Sequence, residues 1–457
     1  MPGAENAVEP RRDWGPDGAD DADHDRAIAI TGIGLIGPFG PGPEAMVAAL
    51  AAGRSAIRAL TVLDSSRYRF RWAAEIPDFD PTLFLGARGL RYFDRTALLL
   101  STAARLAVEA SQGALERYDD SEVGLAVGAT YGSTDSIVRF DRDVLTLGPR
   151  LVIPMQFPNM VMNAPAGRAA ILCALRGPNA TIGNGEASGI DALEFARMLL
   201  LTGQAKAMIA GGVHALTDEV YHACERRHLL FEGPETGTEP SEIPGPFDRA
   251  RAGSVLGEAA ALLVLEEVGA AVARQATIHG LLSGYGTAFA MGGPDDTDAR
   301  QAAAVRAMTM ALASARLSPS DISAVFVQAN GSPVGDRIEA QALSEVFGSG
   351  VSRTPFIAIK ASVGDCLEAS GVLQIIAALG SMARRELPPA LRAPDLDPAW
   401  PFDCVTEGPR LFQGGHCLVN CFSRDGVASS VVIGRWPSPE METELTAHSA
   451  SRTRVGA

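Results

Sequence analysis

The chain has 457 residues, 47% hydrophobic and 20% charged, with a formal net charge of −15. That length and apolar share suit one large α/β body or two fused halves around a sizeable core. No cluster of Lys and Arg offers a phosphate footprint, which argues against nucleic acid as a partner.

Taken in chain order, residues 1–25 carry eight acids against Arg11 and Arg12 and are rich in Gly and Pro; they are expected to form a disordered acidic tail. Structure is expected from residue 27, where an apolar strand over 27–34 ends in a glycine turn. A helix follows over 43–52 and a longer one over 95–110. Further buried strands are expected at 123–127, 207–210, 259–265, 324–327, 356–359, 416–422 and 429–433, with helices at 190–201, 300–315, 337–347 and 371–385. The order is β-α-β-α, closed by two adjacent strands after residue 415, and a similar order can be read in the first part, ending near Leu265. The expected class is therefore α/β, built of two similar βαβ-containing halves at 26–270 and 271–436, with a flexible tail at 437–457. The N-terminus lacks an apolar signal core and no run of 18 apolar residues occurs, so a cytoplasmic protein that does not enter a membrane is expected. The six cysteines have neither CxxC spacing nor a small secreted host and read as reduced, mostly buried thiols.

One position stands out for chemistry. Gly177-Pro178-Asn179-Ala180-Thr181-Ile182-Gly183-Asn184-Gly185 leads a short strand into a glycine-rich turn, and Ala187-Ser188-Gly189-Ile190 opens a helix. Such an elbow presents one side chain at a helix N-terminus, where an anion is stabilised and where a thiolate or alkoxide nucleophile is often held. The residue on the bend is Glu186, a poor acyl acceptor.

Several segments together resemble the β-ketoacyl synthases of fatty-acid and polyketide assembly, which have the thiolase fold. Residues 246–258, Pro-Phe-Asp-Arg-Ala-Arg-Ala-Gly-Ser-Val-Leu-Gly-Glu, are similar to the family's PFDxxRxGFVxGE stretch. Met162-Asn163-Ala164-Pro165-Ala166-Gly167 and Ala210-Gly211-Gly212-Val213 fit as well. Residues 330–339 line up with HGTGTxxGDxxE, 360–365 with KSxxGH and 420–426 with NSFGFGG, so the resemblance spans about residues 27–435. It implies a layered α-β-α-β-α domain. It also places Glu186 at the nucleophilic cysteine, Asn330 and Asp365 at the two histidines, and Lys360 at the active-site lysine. No metal and no cofactor are implied.

These replacements imply a site that no longer condenses. Loss of a single oxyanion donor typically costs roughly 10²–10³ in rate, and here the nucleophile and both histidines are exchanged. The pattern resembles the chain-length factors of type II polyketide synthases, which typically carry Gln at the cysteine position. The partners so implied are an active ketosynthase subunit, in a heterodimer, and an acyl carrier protein reached through that partner. Segments 130–145 and 155–162 fall where family members line the interface and tunnel, making Tyr131, Ile137, Phe140, Met155, Phe157 and Met162 candidates. Plain core packing is the other account of their apolar character.

Two readings of Glu186 stand beside one another. In one it is a structural anion, with Lys360 pairing either Glu186 or Asp365. In the other, Glu186 and Asp365 form an acid–base pair acting on carrier-bound chains, as a cyclase, decarboxylase or acyltransferase. A scaffold with no catalytic context is a third class. Asp336 and Glu339 are expected to order a loop and a helix start, and Cys366 and Cys421 to be inert buried thiols. The gate-like segment Ser423-Arg424-Asp425-Gly426 lacks the family's aromatic residue.

Overall fold

The computed structural model describes residues 27–437 except 112, 114–116, 234–238, 394, 401 and 407. The expected acidic tail and all but the first residue of the expected C-terminal tail lie outside the described residues.

Ten strands build the core: β1 (Ile28–Gly37), β2 (Val123–Gly128), β3 (Asn179–Ile182), β4 (Ala207–His214), β5 (Ala259–Glu267), β6 (Gly280–Phe289), β7 (Ala324–Phe326), β8 (Pro355–Ile357), β9 (His416–Phe422) and β10 (Val427–Gly434). Strands β1, β4 and β10 are buried along their whole length. Their near-continuous apolar runs fit strands covered on both faces.

Pairing reveals an internal repeat. The first half runs β1-β5-β4-β2-β3 and the second β6-β10-β9-β7-β8. In each half the first two pairings are antiparallel and the last two parallel. The halves join edge to edge where Ile28, Ala29 and Ile30 pair Leu282, Leu281 and Gly280.

Helices complete the layers. They are α1 (Pro43–Ala51), α2 (Arg95–Ala110), α3 (Thr134–Leu147), α4 (Ala164–Leu172), α5 (Ser188–Leu201), α6 (Asp218–Arg226), α7 (Thr297–Ser314), α8 (Pro333–Phe347) and α9 (Ser370–Arg384). The central layer is α5 and α9, whose Ile190, Leu193, Val372, Leu373 and Ile376 share one core cluster with residues of both half-sheets. An outer cluster gathers α2 and α4 against the first half, and another gathers α7 and α8 against the second. The α-β-α-β-α layering is thus the expected one. Burying both helices of the middle layer brings the elbow before α5 and the turn before α9 together at the centre of the molecule.

Two departures from the expected elements have physical reasons. Strand β6 has an apolar pattern broken by Gly280, Gly284 and Gly286. There α7 lies against the strand: a Cβ at Gly284 would stand 2.4 Å from the Ala311 carbonyl, and one at Gly286 2.2 Å from that of Ala307. Glycine is required for this close approach. Helix α3 carries Ile137, Phe140, Val144 and Leu147 at helical spacing yet contains no buried residue, so its apolar stripe is left uncovered in this chain.

Candidate functional site

The elbow between β3 and α5 is closed by its own polar groups. Gly185 has φ +62°, a region glycine enters at little cost. Ser188 Oγ accepts the Asn184 N–H at 2.7 Å and donates to the Gly185 carbonyl at 2.6 Å. Asn184 Nδ2 donates to Asp191 at 2.5 Å, and Asp191 in turn accepts from Tyr285 at 2.8 Å and Ser429 at 2.6 Å. The first turn of α5 is thereby tied to the second half. Glu186 stands just before the helix and is only partly buried. Its carboxylate accepts the backbone N–H of Arg424 at 2.9 Å, a donor from the loop after β9 rather than from its own helix.

Segment 246–258 serves as a platform for the other two residues. Asp365 donates its N–H to the Val255 carbonyl at 2.7 Å and accepts from the Gly257 N–H at 2.9 Å. Gly253 N–H donates to the Gly331 carbonyl at 2.9 Å, and Asp336 accepts from the N–H groups of Phe247, Asn330 and Gly331. Glu339 accepts from the N–H groups of Gln328 and Ala329 and from Asn420. Asp336 and Glu339 therefore hold backbone, the structural role expected of them.

Asp365 is buried and fully engaged. Lys360 Nζ lies 3.0 Å from Oδ1, Ser370 donates to the same oxygen at 3.0 Å, and Asn330 Nδ2 donates to Oδ2 at 2.7 Å. Of the two carboxylates considered as partners for Lys360, Asp365 is the one it pairs with at this range. Burial pushes the Asp365 carboxyl up, but the Lys360 charge and the hydrogen bonds from Asn330 and Ser370 together hold it below the usual value. Lys360 is in turn held above its usual value by Asp365, Cys421 and Glu186, against the opposing effect of burial.

Glu186 behaves in the opposite way. Burial and then the Asp365 charge push its carboxyl up to about 7, outweighing Lys360, the Arg424 N–H and the Ser423 hydroxyl. Asp365 is a poor base because its pairing with Lys360 holds it ionised and below the usual value. Glu186 is the group that can exchange a proton near neutral pH. Tyr131, Cys224 and Arg300 also lie within electrostatic reach of it.

The structure brings Glu186, Asn330, Lys360 and Asp365 together, and Tyr131 with them. The other five tunnel candidates lie on α3 and the stretch that follows. Ile137, Met155, Phe157 and Met162 are exposed, so core packing does not account for them. Phe140 is half-buried, and its ring meets that of Phe157 edge-on with centroids 6.2 Å apart. Among the described residues no cluster of three or more His, Cys, Asp or Glu could hold a metal ion, and no helix is long and apolar enough to cross a membrane.

One pair escaped the sequence reading. His214, which lies outside every motif frame, has its Nδ1 2.9 Å from buried Glu368, and Glu368 also accepts the Tyr131 N–H at 2.8 Å. The signal available was an acid three residues past Asp365, in a stretch that is otherwise apolar and small.

Comparison with known proteins places this architecture. Residues 25–271 match the model of the beta-ketoacyl synthase N-terminal domain and residues 279–393 that of its C-terminal domain. The chain is 28% identical over 415 residues to 3-oxoacyl-[acyl-carrier-protein] synthase 2 of Coxiella burnetii, covering 90% of this chain and 99% of that one. It is 30% identical, again over 415 residues, to the protein named as beta-ketoacyl synthase 2 of the actinorhodin polyketide in Streptomyces coelicolor, covering 90% and 100%. Among solved structures, the ishigamide ketosynthase/chain length factor superposes with a TM-score of 0.80 at 26% identity, covering 90% of this chain and 99% of that one. With both domain models matched in order along a doubled α/β fold whose loops converge on one buried polar cluster, the chain belongs to the beta-ketoacyl synthase family.

Proposed function

We propose that this chain is a non-condensing, chain-length-factor-like subunit that pairs with an active ketosynthase in polyketide or fatty-acyl chain assembly. The observation that carries the reading is the centre of the molecule. Glu186 occupies the elbow, and the two positions aligned with histidines hold Asn330 and Asp365, bonded to one another at 2.7 Å. Asp365 further spends its acceptors on Lys360 and Ser370. A thioester acceptor and two neutral donors for an enolate oxygen are what condensation requires, and these residues supply neither.

The exposed apolar side chains of α3 and its continuation support an interface. Leu145, Leu151, Met155 and Phe157 are each more than half exposed, and this run of large exposed apolar side chains within 13 residues supports an interaction site. In this reading the patch meets the ketosynthase, and Phe140 and Phe157 wall the tunnel in which the chain grows. The acyl carrier protein docks through the partner, and the complex works in the cytoplasm. Co-expression with an intact ketosynthase tests it: a 1:1 complex is expected, and Phe157→Asp should abolish it. A stable homodimer that ignores the ketosynthase would contradict the reading.

A second reading, an acid–base role for Glu186 on carrier-bound chains as in a cyclase, decarboxylase or acyltransferase, is favoured by one observation, its near-neutral carboxyl. The compensation of Asp365 by Lys360 removes the shared proton that a two-carboxylate mechanism would use.

A further inference from the structure

The elbow and the loop after β9 are fastened to one another at two points. The Glu186 carboxylate accepts the Arg424 N–H at 2.9 Å, and the Cys421 thiol donates to the Glu186 carbonyl at 3.0 Å. The surfaces also fit closely, since a Cβ at Gly185 would stand 2.4 Å from Ser423 Oγ. Beyond these points the loop turns tightly. Ser423 N–H donates to the Val427 carbonyl at 2.7 Å, Gly426 N–H to Ser423 at 3.2 Å, and Ala290 N–H to Gly426 at 2.9 Å. The 423–426 turn is therefore anchored at its base to β10 and to the end of β6, while its front edge is held by Glu186. A hydrogen bond with a carboxylate acceptor is about twice as strong as a neutral one, and this one joins residues 238 apart in sequence.

We infer that Glu186 is a latch: a positioning residue that holds the 423–426 turn shut over the elbow and seals the end of β9 beneath it. A cysteine in the same place offers a thiol, which is a weak acceptor, whereas a carboxylate or a carboxamide reaches across and takes the Arg424 N–H. The latch rests on hydrogen bonds within this chain alone. Its consequence, that no carrier-bound acyl chain passes Glu186 through this subunit, rests additionally on the proposed partner role.

Cys421 reports on the seal, because it is buried directly under the turn, and Cys417, buried on the same strand, serves as reference. The full chain, alone or in complex with a co-expressed ketosynthase, is treated with iodoacetamide and alkylation is followed at each cysteine by peptide-resolved mass spectrometry. At pH 8, where the Glu186 carboxyl is ionised, removing a hydrogen bond to a charged group predicts that Glu186→Ala raises alkylation of Cys421 by about 10–100-fold with Cys417 unchanged. Glu186→Gln, whose amide oxygen still accepts the Arg424 N–H, should remain close to wild type. Should Glu186→Ala not fold, Glu186→Leu fills the space while removing the acceptor for the Arg424 N–H, and a selective rise at Cys421 is expected there. An unchanged Cys421 rate, or a rise shared equally by Cys417, overturns the latch. Either result leaves co-purification with the ketosynthase untouched, so the two proposals fail separately.

Discussion

The raised carboxyl of Glu186 makes a stability prediction with a definite sign. Glu186→Gln keeps the shape and the acceptor but removes the titration. In the folded chain the group titrates at about 7 because of burial and the nearby Asp365 charge, against 4.5 as its ordinary value. Between those values the folded chain keeps a proton that the unfolded chain has released. The associated stability is therefore complete below pH 4.5 and is lost as pH rises through about 7. The difference corresponds to at most about 3 kcal/mol. For a folded body of about 400 residues the unfolding entropy near the midpoint is about 0.8 kcal/mol/K, so the shift is at most about 4 °C in Tm. Asp336 and Glu339, which burial pushes up to about 6 and about 7, titrate in the same window and add a background common to both proteins. Thermal unfolding of wild type and Glu186→Gln at pH 5 and pH 8 isolates the one group. Wild type should lose up to about 4 °C more than the variant between the two pH values. Identical pH dependence in both proteins would refute the burial argument.

Other perturbations probe different parts of the cluster. Lys360→Met leaves the buried Asp365 without its cation and should cost about 3–5 kcal/mol, read as a lower Tm, whereas Lys360→Met combined with Asp365→Leu should recover part of the loss. Gly185→Ala forces a side chain into a φ of +62° and against Ser423; a cost of about 1–3 kcal/mol is expected, and an unchanged Tm would show that the elbow relaxes freely. Phe140→Ala removes one ring of the edge-on pair with Phe157 and, in a reconstituted complex, should shift the product profile toward longer chains; an unchanged profile with intact assembly would remove Phe140 from the tunnel wall.

Much of the fold was legible because its core strands are apolar runs of standard length bounded by turn residues. Helix α2 and strand β9 coincide with their expected ranges. Where legibility failed, the cause was a contact invisible to a local pattern. Strand β6 hides behind glycines that α7 requires and lacks the alternation of a buried face, while α3, amphipathic in sequence, has no buried residue in this chain. At the site, the spacing around residues 186, 330 and 365 identified which residues would meet. The choice of Asp365 over Glu186 by Lys360 depends on geometry at the ångström scale, and sequence carries no such information. Nor could it show the hydrogen bond from Arg424, because a backbone amide donates whatever its side chain. His214 and Glu368 belong to separate halves of the chain, and their pairing emerges only when β4 and the turn before α9 pack together.

Whether the centre of this chain performs chemistry decides between the two roles of Glu186. The most direct measurement is product formation by the complex with an active ketosynthase, comparing wild type with Glu186→Gln, which keeps the acceptor toward Arg424 while abolishing proton transfer by the carboxyl. The partner role predicts equal rates and equal products for the two complexes, with no product from this chain alone. A loss of tenfold or more in rate on Glu186→Gln, with assembly intact, would contradict it and assign the carboxyl a catalytic proton.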